Sequence, residues 1–164
     1  MQSTRSWVIQ GPMEEKYARD AIVTTKDPVP RQWKILRVVS EYDYQRSSEV
    51  VQQGQSVIVQ IFPKPPLAEM RVHLQVPHTN TELQASQIRA RQAVKFRPDE
   101  LKFLKILTAD PSTSAFTPKL LGYQEKRQGA EDLVLGGFHT IVVWEHLPGL
   151  PLGGPTTDPG SFGS

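Results

Sequence analysis

Cysteine is absent from this chain. That absence removes disulfide frameworks, thiolate metal sites and cysteine nucleophiles in one step, and it agrees with a reducing compartment. Long apolar runs are missing too, since no stretch approaches the roughly 20 residues of a membrane-spanning helix. The opening MQSTRSWVIQ holds one short apolar run, Trp7 to Ile9, too brief for the core of a signal peptide. An intracellular, cytoplasmic protein with no membrane partner is expected. Charge of one sign is also lacking: 19 lysines and arginines face 17 aspartates and glutamates. No whole-chain field therefore draws it to nucleic acid or to a membrane surface. Glycine is scarce in one region, Gly54 being the only one between Gly11 and Gly122. Close backbone approach to phosphate needs glycine, so no phosphate-cradling loop is available there. The four histidines, His73, His78, His139 and His146, have no metal-ligand spacing, and no metal site is expected.

What remains is enough for one ordinary domain, with 164 residues of which 38% are apolar and 22% charged. Residues 1–30 lack sustained periodicity and end in KDPVPRQ, which reads as an arm or linker. Trp33 to Tyr42 is rich in β-branched and aromatic residues and predicts a strand. Ser48 to Phe62 predicts two strands in a hairpin around Gly54 and Gln55, stopped by PKPP. Thr79 and Glu82 stand at capping-box spacing and predict a polar helix running to Lys95. Pro98 opens a second helix, PDELKFLKIL. Lys119 to Lys126 and Asp132 to Leu147 predict two more strands, and from Gly149 onward eight of sixteen residues are Gly or Pro, a tail. Three strands, helices and two strands imply an α+β domain over residues 31–150, with an antiparallel sheet of about five strands and helices on one face.

One acid stands out. Turning the second helix by about 100° per residue puts Phe103, Leu104 and Leu107 on one side, with Glu100 among them and Lys102 and Lys105 opposite. An inward carboxylate costs several kcal/mol unless it is paired, so Glu100 is expected to have a partner. Glu82 is the alternative helix acid, although Ser86 rather than an apolar residue stands four places after it.

Three strands, a helix with an inward acid, TPKLLGY and then GGFHTIVVWEHLPGLPL resemble the small lobe of a protein-kinase-like fold. The resemblance is to the fungal kinase-like group related to aminoglycoside phosphotransferases, and it spans Trp33 to Leu152. It implies ATP as ligand, with Trp144 at the gatekeeper position. Glu145, His146 and Leu147 would form a hinge whose backbone hydrogen-bonds adenine. It also makes Glu100 the helix acid that pairs with a strand lysine, the lysine that grips the α- and β-phosphates.

The chain departs from that pattern in ways that change the expected activity. The lysine position on VIVQIF holds Gln60, which can hydrogen-bond Glu100 but brings no cation. Ile58, two residues earlier, stands where the family has a small residue against adenine. The strand-to-strand loop SEYDYQRSS has no glycine, and no His-x-Asp occurs. Ser161–Phe162–Gly163 is similar to the metal-binding Asp-Phe-Gly, but it has serine for the metal ligand and stands too soon after the hinge segment, so the likeness is a coincidence. The expectation is therefore a shortened, catalytically incompetent kinase-like chain with weak nucleotide binding at the hinge. The alternative is a non-catalytic interaction module on the same scaffold, which self-associates or binds a protein through its open face. The six basic and two acidic residues between Ser86 and Lys105 read as a solvated helix surface rather than a nucleic-acid interface.

Overall fold

A computed structural model describes residues 14–46, 52–62, 67–78 and 80–146, and over 39–46 and 52–62 it describes the backbone alone. The elements run α1 (Glu14–Tyr17), β1 (Ile22–Thr25), β2 (Arg31–Arg46), β3 (Gln52–Phe62) and β4 (Ala68–Gln75). After these come α2 (Ser86–Ala90), α3 (Asp99–Ala109), α4 (Pro111–Ser114), β5 (Leu120–Arg127) and β6 (Phe138–Glu145). The fold is α+β. The strands make one antiparallel sheet in the order β1-β2-β3-β4-β6-β5.

Several elements differ from the sequence expectation. Within the stretch read as an arm, β1 pairs with β2 and Tyr17 packs into the core. β2 continues to Arg46, through most of what reads as a loop, and β3 runs unbroken past Gly54 and Gln55 in register with Tyr44 and Asp43. No hairpin turns at Gly54; the β2–β3 connection falls at residues 47–51, outside those described. β4 occupies a stretch with no expected element. Its basis is strict alternation: Ala68, Met70, Val72 and Leu74 are buried to 1% or less, while Glu69, Arg71 and His73 take the other face. The polar helix expected from Thr79 shrinks to Ser86–Ala90, which has no side-chain cap, and Thr79 lies outside the described residues.

The inner face holds the core. Trp33, Ile35, Met70, Val72, Leu74, Ile141 and Val143 are closed over by Tyr17, Leu133 and Val134. Each large side chain buried this fully contributes about 1.5–3 kcal/mol. The sheet curls until the chain after β1 meets the opposite edge: Asp27 and Tyr123 exchange backbone hydrogen bonds of 3.1 and 2.8 Å. Where the edges converge, Gly122 lies so close to β1 that an added Cβ would sit 2.6 Å from Thr25 Oγ1 and 3.3 Å from the Trp33 ring. Trp33 Nε1 donates to that same Thr25 hydroxyl at 2.9 Å, which satisfies the buried indole.

The outer face carries α3, with Pro98 at its N-cap and Asp99 and Glu100 in its first turn, where acids complement the helix dipole. Its inward side keeps Glu100, Leu104 and Leu107 half-buried as expected, and differs at two positions. Leu101 is fully buried, whereas Phe103 and Ile106 are 58% and 57% exposed. Phe103 therefore does not join the facing side, because Glu100 is tied to β4 and brings Leu101 inward with it.

Candidate functional site

β4 and β6 pair with Glu69 opposite Trp144, Arg71 opposite Val142 and His73 opposite Thr140. Directly opposed residues share a face, so these side chains project beneath α3. Glu100 enters the same space from the helix. An Arg71 guanidinium N–H donates to Glu100 Oε2, and His73 Nε2 lies 3.2 Å from Glu100 Oε1. The Arg71 guanidinium stands 5.5 Å from the centroid of the Trp144 ring, within reach of a cation–π contact. Trp144 Nε1 donates to Glu69 Oε2 at 2.9 Å, and His146 Nδ1 lies 3.7 Å from Glu69 Oε1.

The arrangement is a small polar network on an otherwise structural sheet. The Arg71 and Glu100 side chains are 23% and 24% exposed, so their pairing is partly shielded from water. Charge-assisted hydrogen bonds in such settings are about twice as strong as neutral ones. Arginine is always charged and presents several N–H donors in a planar fork suited to carboxylate or phosphate. Its Nε is buried with no partner among the described residues. No group of three or more metal-ligating side chains occurs among the described residues.

Of the residues singled out from sequence, Glu100, Trp144, Glu145 and His146 gather at this end of the sheet. Glu100 does have its partner, but the cation comes from Arg71 on β4. Gln60 belongs to the neighbouring strand β3, where its backbone pairs with Glu69, and Ile58 pairs with Arg71. The partner of Glu100 is thus Arg71, one strand beyond Gln60. The signal for it was the alternation of AEMRVHLQ. Glu82 lies in the turns before α2.

Glu145 closes β6. Its N–H donates to the Lys119 carbonyl at 3.0 Å while its carboxylate accepts from Lys119 N–H at 2.9 Å. The His146 N–H reaches the Leu67 carbonyl at 3.4 Å. The N–H groups of Glu145 and His146 are therefore already engaged by backbone carbonyls, and Leu147 lies outside the described residues.

A second pair sequence reasoning missed lies on the opposite face. The Tyr17 hydroxyl and His139 Nε2 share a hydrogen bond in the core, both residues at 3% exposure or less. Burial, with smaller contributions from Lys126 and Lys16, pushes the His139 pKa down to about 3. Burial, reinforced by Asp132, raises that of Tyr17, which stays protonated. Tyr17 therefore donates, neutral His139 accepts on Nε2, and its own proton sits on Nδ1. Beside them Lys16 Nζ meets Asp132 Oδ1 at 3.0 Å. No family model, curated protein or solved structure matches this chain.

Proposed function

We propose that this domain is a kinase-like small lobe that binds a nucleoside triphosphate on the outer face of its sheet, with Arg71 as the phosphate-facing cation. The observation that carries the reading is the ion pair between Arg71, on a central strand, and Glu100, on the helix that follows. In protein kinases a strand lysine and a helix glutamate make the corresponding pair. The residues fit phosphate well at one point and adenine less well at another. Arg71 supplies a permanent charge with fork geometry. Glu69 puts a carboxylate next to Trp144 where a nucleobase would lie, and Trp144 Nε1 already donates to it. The proposal concerns binding alone, the step on which the Arg71–Glu100 pair bears.

The test is a thermal-shift titration with ATP, with and without Mg²⁺, on wild-type protein, Arg71→Lys and Arg71→Gln. Ligand that binds only the folded state stabilises it by RT ln(1 + [L]/Kd), about 2.7 kcal/mol at a hundredfold excess over Kd. A saturable rise is expected for wild type and Arg71→Lys, and its loss for Arg71→Gln. A flat wild-type curve to millimolar ATP sinks the reading.

A second reading rests on a separate observation. Phe103 and Ile106 on α3 and Phe116 after α4 are 58%, 57% and 85% exposed. Such residues suit an interaction module that self-associates or takes a protein partner through this side. Light scattering across a concentration series distinguishes it: mass should rise with concentration in wild type and not in the Phe103→Ser/Ile106→Ser variant.

A further inference from the structure

A cleft of about 520 Å³ opens between the segment after α2 and the end of β5. That volume is in the range of small-molecule sites, roughly 300–1,000 Å³. Its apolar part is built by Phe96 and Phe138, whose ring centroids stand 4.8 Å apart at 47°. Its rim is cationic. Arg97 grips Glu125 across the opening, with Nε 2.8 Å from Oε1 and a terminal nitrogen 3.0 Å from Oε2. Lys95 and Arg127 line the same opening and form no ion pair among the described residues.

The wall carrying Lys95 and Phe96 is held in place from below. Gln75 is fully buried in β4; its amide donates to the Gln92 carbonyl at 2.7 Å and its Oε1 accepts from Val94 N–H at 3.0 Å. The opposite lip, at Gly136, is set by a 2.9 Å bond from its N–H to the Gln128 carbonyl, with Gly136 at a φ of 79° that only glycine adopts freely. Both lips are thus fixed before any ligand arrives, which lowers the ordering cost of binding.

We propose that this cleft binds a small organic anion, with a flat apolar group against Phe96 and Phe138 and a carboxylate or phosphate at Lys95 and Arg127. Excess charge of one sign on the walls of a cleft concentrates the opposite ion. Guanidinium and ammonium groups recognise carboxylate and phosphate oxygens directly. An inorganic anion would leave the aromatic floor unused, and a neutral aromatic would leave the cations unused, so the two halves together select a molecule with both. The site does not depend on nucleotide binding at Arg71, since Arg71, Glu100, Glu69 and Trp144 line no part of it.

The experiment is a ¹⁵N–¹H NMR titration of the full chain with three probes: phenyl phosphate, inorganic phosphate and benzyl alcohol. Saturable shifts of the amides at 94–97 and 125–127 are expected with phenyl phosphate, at an affinity roughly tenfold above either other probe. The Lys95→Gln/Arg127→Gln variant should keep its folded spectrum and bind phenyl phosphate about tenfold more weakly, the scale of a charge-assisted hydrogen bond. The proposal is overturned by the absence of saturable shifts, by equal affinity for all three probes, or by unchanged binding in the variant. Shifts confined to the amides around Arg71 and Glu100 would overturn it as well, while leaving nucleotide binding there intact.

Discussion

The buried Tyr17–His139 pair makes the stability of this fold depend on mild acid, and the size of the effect follows from the His139 environment. The perturbation is pH alone. In the unfolded chain a histidine takes up its proton near pH 6.5, whereas in the folded protein burial holds His139 neutral down to about pH 3. Between those values the unfolded state binds more protons, so stability rises with pH and is lost as pH falls from 6.5 toward 3. A depressed histidine pKa therefore contributes stability that is fully present above 6.5. From pH 7 to pH 5 the unfolded histidine becomes almost fully protonated while the folded one does not. That difference costs about 2 kcal/mol, with a limiting slope of about 1.4 kcal/mol per pH unit. Urea unfolding at pH 7, 6 and 5 measures it, and His139→Gln provides the reference because an amide can accept from Tyr17 without titrating. The wild type should lose about 2 kcal/mol more than the variant over this window. Equal losses in the two proteins would refute the reasoning, as would a His139 ring resonance titrating near 6.5 in the folded state.

Three substitutions test other parts of the structure. Glu100→Gln removes the anionic partner of a guanidinium that is only 23% exposed, and should cost about 1–3 kcal/mol in urea unfolding. An unchanged midpoint would mean that water already satisfies Arg71. Gly122→Ala forces a methyl to within 2.6 Å of Thr25 Oγ1, and overpacking of this kind should destabilise by about 1–3 kcal/mol; a neutral melting result would show that the β1 edge gives way. Leu101→Ala empties the one fully buried position on α3 and should cost about 2–5 kcal/mol in the same assay. A cost below 1 kcal/mol, the range of ordinary surface changes, would show that the helix is not seated through Leu101.

The layout of the fold was legible where residue type and period agreed. Trp33, Ile35, Ile141 and Val143 lie in β-branched and aromatic runs and sit in the core of β2 and β6. The helix opening after Pro98 carries its acids in the first turn and emerged where expected. Failure came where a strand alternates with charged residues. Ala68 to Gln75 has the two-residue period of a half-buried strand, but Glu69, Arg71 and His73 dilute its apolar content. With that strand unrecognised, Arg71 was not considered as the partner of Glu100. The capping-box signal at Thr79 misled in the opposite way, since local spacing alone cannot supply the buried face that stabilises most helices, and α2 buries no residue. The Tyr17–His139 contact joins residues 122 positions apart, and nothing local in either stretch announces it.

The two faces of the sheet divide the chemistry. The inner face is closed by the curl that brings Asp27 to Tyr123, and its polar atoms are satisfied within it: Trp33 by Thr25, His139 by Tyr17. Removal of one partner there leaves a buried group unpaired, which is why the inner face should control stability. On the outer face Arg71, His73, Glu100, Glu69 and Trp144 share partners. Glu100 holds both Arg71 and His73, so a ligand oxygen that draws Arg71 away leaves the acid with its histidine rather than without a partner. A shared acid lowers the cost of freeing the guanidinium. A lone buried Arg–Glu pair would have to leave the carboxylate unpaired, at several kcal/mol. The second partner at His73 therefore distinguishes this network from a lone ion pair that merely locks α3 to the sheet.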